Sequence, residues 1–293
     1  MRMFYRAILV GLMLVSTSLL ASDTQESPLR FAPIPMASKA HMVQEYLPFL
    51  DYLETHTGKQ YELAYYASYA DLLDGFVADE IDLAYLGPLP YVALTERIGH
   101  VSPVVQFLDN IGQKSYTCAL VGFADQQALG KHIGKGDAPI ALTQPLSTCG
   151  YLVMNDELKK RTGLGLESYD YVYTGSHEAV ALGVILGQQI LGGMKTLIAR
   201  QYHHLGLRVL GESSHMPGFM LVANEHTVPA AFIQTLIDRL TALDPLHDPI
   251  DRDTVLSWSD NLCCGAVEVD VEAYDAIRAA WQALDVDLLE THP

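Results

Sequence analysis

The chain has 293 residues, 49% of them hydrophobic and 18% charged, with a formal net charge of -17. Those proportions describe packed globular cores rather than disorder, and the length suffices for two medium domains. So acidic a chain repels nucleic acid and anionic lipid, which excludes both as partners, and any anion it holds must be held by local dipoles and hydrogen bonds.

Arg2 and Arg6 precede an apolar run from Ala7 to Leu20, and polar Ser22 to Glu26 follow. This is the pattern of a cleaved signal peptide, expected over residues 1–22, although Leu19 stands where a cut after Ala21 prefers a small residue. The run falls short of the roughly 20 apolar residues of a membrane span, and no Cys lies near it to take a lipid anchor. The expected product is a soluble, exported protein.

Downstream, short apolar runs alternate with longer amphipathic ones. Leu29 to Ile34, Tyr61 to Tyr65, Ile81 to Leu86 and Val101 to Leu108 read as strands, with helices over Ala40 to Thr55, over Tyr69 to Val77 and from Gly87-Pro88 onward. A second series has strands Tyr116 to Gly122, Ala138 to Leu142, Tyr169 to Tyr173 and Leu207 to Leu210, with helices starting at Ser147 and Ser176. A strand over Phe219 to Val222 and helices over Pro229 to Leu243 and Val271 to Leu284 complete the chain. The prediction is an α/β protein of two lobes, each a mostly parallel sheet flanked by helices, with 23–116 and 223–293 in lobe 1 and 117–222 in lobe 2. The chain then crosses between lobes twice, and since neither crossing is long or rich in Pro and Gly, paired hinge strands are expected.

Three segments repeat one grammar, a buried strand running into a turn and a helix start. They are Ile81 to Tyr91, containing Gly87-Pro88; Thr143 to Tyr151, containing Ser147-Thr148-Cys149-Gly150; and Tyr173 to Glu178, containing Gly175-Ser176-His177. Ordinary capping by Ser147, Thr148 or Ser176, and Pro at the first helical position, account for each segment taken alone. Taken together they offer free N–H groups, hydroxyls and an imidazole at the sheet edges where ligands of open α/β folds bind, and helix N-termini hold phosphate-like groups without Lys or Arg.

In order and approximate spacing these segments resemble the phosphonate/phosphite-type periplasmic solute-binding proteins. The match runs from Tyr69 and Ile81 to Tyr91, through Gly134-Lys135 to Ala141, to Ser147 to Tyr151 and Gly175-Ser176-His177, and it covers nearly the whole mature chain. The resemblance implies a type II clamshell that closes on a small oxyanion (phosphite-, phosphonate- or phosphate-like) and delivers it to the membrane permease of an ABC transporter. It implies no cofactor, no metal and a monomer. Carried over position by position, the ligand set is Tyr69, Gly87, Pro88, Tyr91, Cys118, Ser147, Thr148, Cys149, Gly150, Tyr151, Ser176 and His177.

Two departures bear on the ligand. Cys149 stands where the family loop has Ser, and Cys118 where a small hydroxyl residue is common. They leave three readings open: a Cys118–Cys149 disulfide, two inert small residues, or a thiol pair for a thiophilic ligand such as an arsenic oxyanion, sensed on behalf of a membrane histidine kinase. Four cysteines allow three full pairings, and Cys263-Cys264 are expected only as a structural bridge. Gln189 replaces an acidic residue of phosphonate binders, which argues against an aminoalkyl ligand if that position reaches the cleft.

Other readings are weaker. Gly130 to Lys135 is one residue short of a phosphate loop and lacks its Ser/Thr. His203-His204 and His215 read as solvated rather than metal-binding. A thiol enzyme with Cys149 as nucleophile and His177 as base lacks an orienting third group, so no enzyme is expected.

Overall fold

The computed structural model describes residues 27–124, 136–284, 286, 288 and 289. The expected leader and the Gly130 to Lys135 segment lie outside the described residues. The elements in chain order are β1 (Leu29–Pro33), α1 (Lys39–Thr57), β2 (Tyr61–Leu63), α2 (Tyr69–Val77), β3 (Leu83–Leu86), α3 (Pro88–Arg97), β4 (Val101–Phe107), β5 (Ser115–Tyr116), β6 (Cys118–Phe123) and β7 (Ile140–Leu142). A π-turn over Thr148–Leu152 then leads into α4 (Val153–Thr162), followed by β8 (Tyr171–Tyr173), α5 (His177–Ile185), β9 (Leu191–Lys195), α6 (Thr196–Gln201), β10 (Leu207–Glu212) and β11 (Met216–Pro217). Last come β12 (Met220–Asn224), α7 (Ala230–Thr241), α8 (Pro249–Val255), β13 (Ala266–Val267) and α9 (Asp275–Gln282).

Two main sheets form, a six-stranded one in the order β13-β4-β12-β3-β1-β2 and a five-stranded one in the order β10-β6-β9-β7-β8. Both are mixed, which corrects the expectation of mostly parallel sheets. Only β1–β2 and β1–β3 in the first, and β7–β8 and β7–β9 in the second, run parallel. The cause lies in the crossings: strands that enter or leave through the hinge arrive from the opposite direction, so β12 lies antiparallel to β3 and β4, and β6 antiparallel to β9.

A third, two-stranded antiparallel ribbon joins β5 and β11, pairing Met216 with Tyr116 and Pro217 with Ser115. The chain passes between the two main sheets through this ribbon, once on each strand. A boundary after residue 222 would cut β12, all of which pairs in the six-stranded sheet. Gly218 follows the ribbon because nothing larger fits, since a Cβ there would stand 2.8 Å from Gln106 Nε2 and 3.0 Å from the Lys114 carbonyl oxygen.

Packing in the first lobe centres on aromatic residues. Phe31, Tyr46, Phe49, Tyr85 and Phe107 are buried between the six-stranded sheet and α1, and Phe49 meets Trp258 edge-on at 5.0 Å. Around the five-stranded sheet the core is aliphatic, with Val121, Val180, Val184, Met194 and Leu207. A small seam of Tyr116, Cys118, Cys149 and Val153, covered by Met216 and Phe219, lies against the hinge.

β9, central to its sheet, is not among the strands expected from the sequence, and Gly192-Gly193 within it weakens any strand signal. Both glycines are there for closeness. A Cβ on Gly193 would stand 2.7 Å from the Cys149 carbonyl oxygen and 3.0 Å from that of Gly150, and one on Gly192 would stand 2.4 Å from a Val180 methyl. The π-turn can therefore rest directly on the sheet. Cys263 and Cys264 are neighbouring free thiols rather than a bridge.

Gly193→Ala is expected to lower unfolding stability by about 1–3 kcal/mol in urea denaturation, because backbone must move to admit the methyl. Gly99→Ala, where a Cβ meets nothing within 4 Å, should change it by less than about 0.5 kcal/mol.

Candidate functional site

Four helix starts converge on the seam between the sheets. Ser68 caps α2 by accepting from the Asp71 N–H at 3.1 Å, Ser147 caps the π-turn by accepting from Gly150 N–H at 3.2 Å, and Ser176 caps α5 by accepting from Ala179 N–H at 3.2 Å. The fourth start is capped from the other lobe. Thr148 Oγ1 accepts from the Leu89 N–H of α3 at 3.0 Å, a buried bond between segments 59 residues apart.

Gln144 makes a second cross-lobe bridge. Its Oε1 accepts from the Tyr69 N–H at 3.3 Å while its Nε2 donates to the Pro35 carbonyl at 3.0 Å. The lobes are closed on each other in this state. What remains at the convergence is a cavity of about 20 Å³, lined by Ile34, Met36, Tyr69, Gly87, Pro90, Tyr116, and by Ser147, Thr148, Cys149, His177, Lys195 and Phe219. Room for about one water implies that larger ligands enter only when the lobes part.

Of the twelve residues expected at the site, Tyr69, Gly87, Ser147, Thr148, Cys149 and His177 line this cavity. The other six do not, each for a local reason. Pro88 is the buried first residue of α3, and Tyr91, a turn further along, packs edge-on against Tyr274 at 5.2 Å. Tyr151 points into its own lobe and donates to Glu167 Oε1 at 2.7 Å. Ser176 is spent on its cap, and Gly150 serves by closeness, since a Cβ there would stand 2.6 Å from Thr143 Oγ1. Cys118 lies behind Cys149, to which it is joined by a disulfide. The bridge ties the π-turn to β6 across 31 residues of sequence, which restrains the unfolded chain by about 3–4 kcal/mol on a loop-entropy estimate.

Lys195 was missed together with β9. Its ammonium lies 4.9 Å from the Tyr116 ring centroid and 5.6 Å from that of Phe219. Burial pulls its pKa below the usual lysine value, with Asp109 opposing. Among the described residues Lys195 is the only Lys or Arg lining the cavity, so the expected reliance on helix ends alone is incomplete. A Lys closing an apolar run was the available signal.

The same residue fixes His177. The Lys195 backbone N–H donates to His177 Nδ1 at 3.3 Å, so a neutral imidazole carries its proton on Nε2. Burial lowers the His177 pKa from 6.5 to about 4, with Glu178 opposing and Lys195 reinforcing. It is a neutral donor at physiological pH. Burial likewise raises the phenols of Tyr69 and Tyr116 above their ordinary value, which keeps both as O–H donors.

The cavity opens into a mouth of about 520 Å³ that shares Met36, Tyr116, His177, Lys195 and Phe219 with it. Glu45, Asp109, Glu178 and Asp260 line this outer chamber. Gln189 lines neither space and packs against Gly183 of α5, so its identity carries no weight about the ligand. His203 and His204 sit in an exposed turn, as expected.

Residues 31–260 match the family model described as the periplasmic substrate-binding protein of the phosphonate ABC transporter. The chain belongs to this family. It is 22% identical over 230 residues to the phosphate-import protein PhnD of Mycolicibacterium smegmatis, covering 73% of this chain and 70% of that one. The fold is also that of PhnD1 from Prochlorococcus marinus in complex with methylphosphonate, at a TM-score of 0.72, 16% identity, and coverage of 87% and 97%. A binding protein component of a phosphonate ABC transporter from Pseudomonas aeruginosa gives 0.71, 20% identity, and coverage of 87% and 85%. Family members are periplasmic substrate-binding proteins that work with a transporter, not enzymes. The arsenic-sensing alternative gains nothing from these relatives, and with Cys118 and Cys149 bridged neither sulfur is free to bind arsenic.

The His177 shift has a testable sign. The unfolded chain takes up a proton on this residue as pH falls through 6.5, whereas the folded chain resists until about 4. Stability therefore falls across that window, by at most about 3 kcal/mol from this one group. Urea denaturation between pH 7.5 and 4.5 should show a shallower loss in His177→Gln than in the parent.

Proposed function

We propose that the seam between the lobes captures a small phosphorus oxyanion, of the methylphosphonate, phosphite or phosphate class, for an ABC transporter permease. The single observation that carries this is that Lys195 and a neutral His177, whose Nδ1 accepts from the Lys195 backbone N–H, line one small cavity among converging helix starts. Ser147 and Thr148 hydroxyls and the Tyr69 phenol add neutral donors, and Phe219, Tyr116, Ile34 and Met36 suit a hydrogen or methyl substituent. Binding would begin with the lobes apart, and closure would exclude water and strengthen every hydrogen bond to the anion.

In this reading residues 1–22 are the export signal, the chain works as a periplasmic monomer, and the lobes meet at the β5–β11 ribbon, with Met220 onward in the first lobe. A second reading concerns the substituent. The four carboxylates of the outer chamber favour a ligand whose cationic tail extends from the anion site, such as an aminoalkylphosphonate.

Calorimetry on the leader-free protein should give saturable 1:1 binding with at least one of methylphosphonate, phosphite and phosphate. Lys195→Met and His177→Ala should each weaken it at least tenfold. No heat with any of them, or affinity untouched by both substitutions, would sink the proposal. Glu178→Gln should weaken 2-aminoethylphosphonate more than methylphosphonate only if the second reading holds. Arsenite, with the disulfide intact, should give no heat.

A further inference from the structure

At the pole of the first lobe away from the cleft, three turns bring together side chains that the transport function does not use. Asp79 lies between α2 and β3, His100 just before β4, and His226 just after β12. β3 separates them from the cleft: Asp79 precedes that strand and Gly87 follows it. None of the three lines the cavity or its mouth.

Their ligand atoms all lie within 4.8 Å of one another. His226 Nδ1 is 3.3 Å from Asp79 Oδ2, and His100 Nε2 is 3.7 Å from Asp79 Oδ1. The two imidazoles stack at 3.6 Å between centroids, 14° from parallel, and each has a nitrogen facing one oxygen of the same carboxylate. Ligands about 2.0–2.2 Å from a tetrahedral ion are roughly 3.3–3.5 Å apart, close to these separations.

We propose that Asp79, His100 and His226 form a three-ligand site for a divalent transition ion of the zinc class, independent of the oxyanion cleft.

Two further features support a built site. Asp79 is the only non-glycine residue at positive φ among the described residues, at 58°. Asn224, fully buried, holds it there by donating from Nδ2 to Asp79 Oδ1 at 2.9 Å and to the carbonyls of Phe76 and Ile81 at 3.4 Å, while its Oδ1 accepts from the His226 N–H at 3.0 Å. One amide thus sets two of the three ligands, the role that outer hydrogen bonds play at metal centres. In addition, His100 Nε2 is buried without a hydrogen-bond partner, facing Asp79 at a distance too long for one.

Imidazole and carboxylate together suit zinc and its neighbours rather than calcium or magnesium, which demand oxygen shells. With Asp79 and His226 exposed, a fourth position is open to water. A strongly acidic chain also raises the local cation concentration.

The test is calorimetry of the tag-free, leader-free protein with zinc chloride, followed by the visible spectrum of the cobalt(II) form. Saturable 1:1 zinc binding is expected, weakened at least tenfold in His226→Ala and in His100→Ala, with four-coordinate cobalt bands lost in both. His226 is exposed, so its replacement should leave the circular dichroism and the oxyanion affinity unchanged, which separates this result from the fate of the cleft proposal. Absence of saturable binding would overturn the site. So would affinity retained in both variants, or lost instead in the His203→Ala, His204→Ala double variant.

Discussion

Backbone N–H groups at helix starts need acceptors, and this protein turns four such starts toward one seam. Three are capped within their own segment by Ser68, Ser147 and Ser176, and the fourth is capped from across the seam by Thr148. The local caps fix the directions of α2, the π-turn and α5. The cross-lobe cap does something different, because parting the lobes strips Leu89 of its partner and exposes the donor to whatever occupies the cleft. A closed state held by so few polar bonds is readily reopened, since each such bond contributes only about 1 kcal/mol net.

Placing the anion loop against that seam depends on backbone closeness rather than on side chains. The π-turn lies on β9 because Gly193 lets the carbonyls of Cys149 and Gly150 approach, and Gly150 in turn lets the loop fold over Thr143. The disulfide to Cys118 then anchors the loop to the first strand beyond the hinge. Gly218 allows the return strand to pass beside Gln106 and Lys114. The geometry of the site is therefore set by where the chain has no side chain.

This explains what was legible in the sequence. α2 could be read over Tyr69–Val77 because its apolar spacing and Ser cap are local, and Gly87-Pro88 announced α3 for the same reason. β9 is hard to read locally because its glycines answer to neighbours elsewhere, Gly193 to the loop about forty residues earlier and Gly192 to Val180 of α5. Losing β9 meant losing Lys195. Gln144 and Thr143 lie inside the Thr143 to Tyr151 segment but carry no local mark of importance, since their partners lie in the other lobe or across a loop. The Asp79, His100 and His226 cluster was invisible for a similar reason: its members share no spacing and meet only where three turns end at one pole. The mixed sheet pattern escaped because an apolar strand does not record its direction.

Charge economy ties these parts together. With a net charge of -17, a basic patch would be an expense the fold avoids, and the site instead combines one ammonium with neutral donors. Lys195 is held over two aromatic faces, which offset part of its desolvation, while its backbone N–H leaves the His177 proton on Nε2. Because burial keeps His177 neutral down to about pH 4, the imidazole adds no charge to the site across physiological pH. Its net charge is about one unit, against an oxyanion of one or two negative charges. The four carboxylates around the mouth oppose bulk anions at long range. Discrimination must then come from short-range fit, through hydrogen bonds formed only after closure, rather than from attraction at a distance.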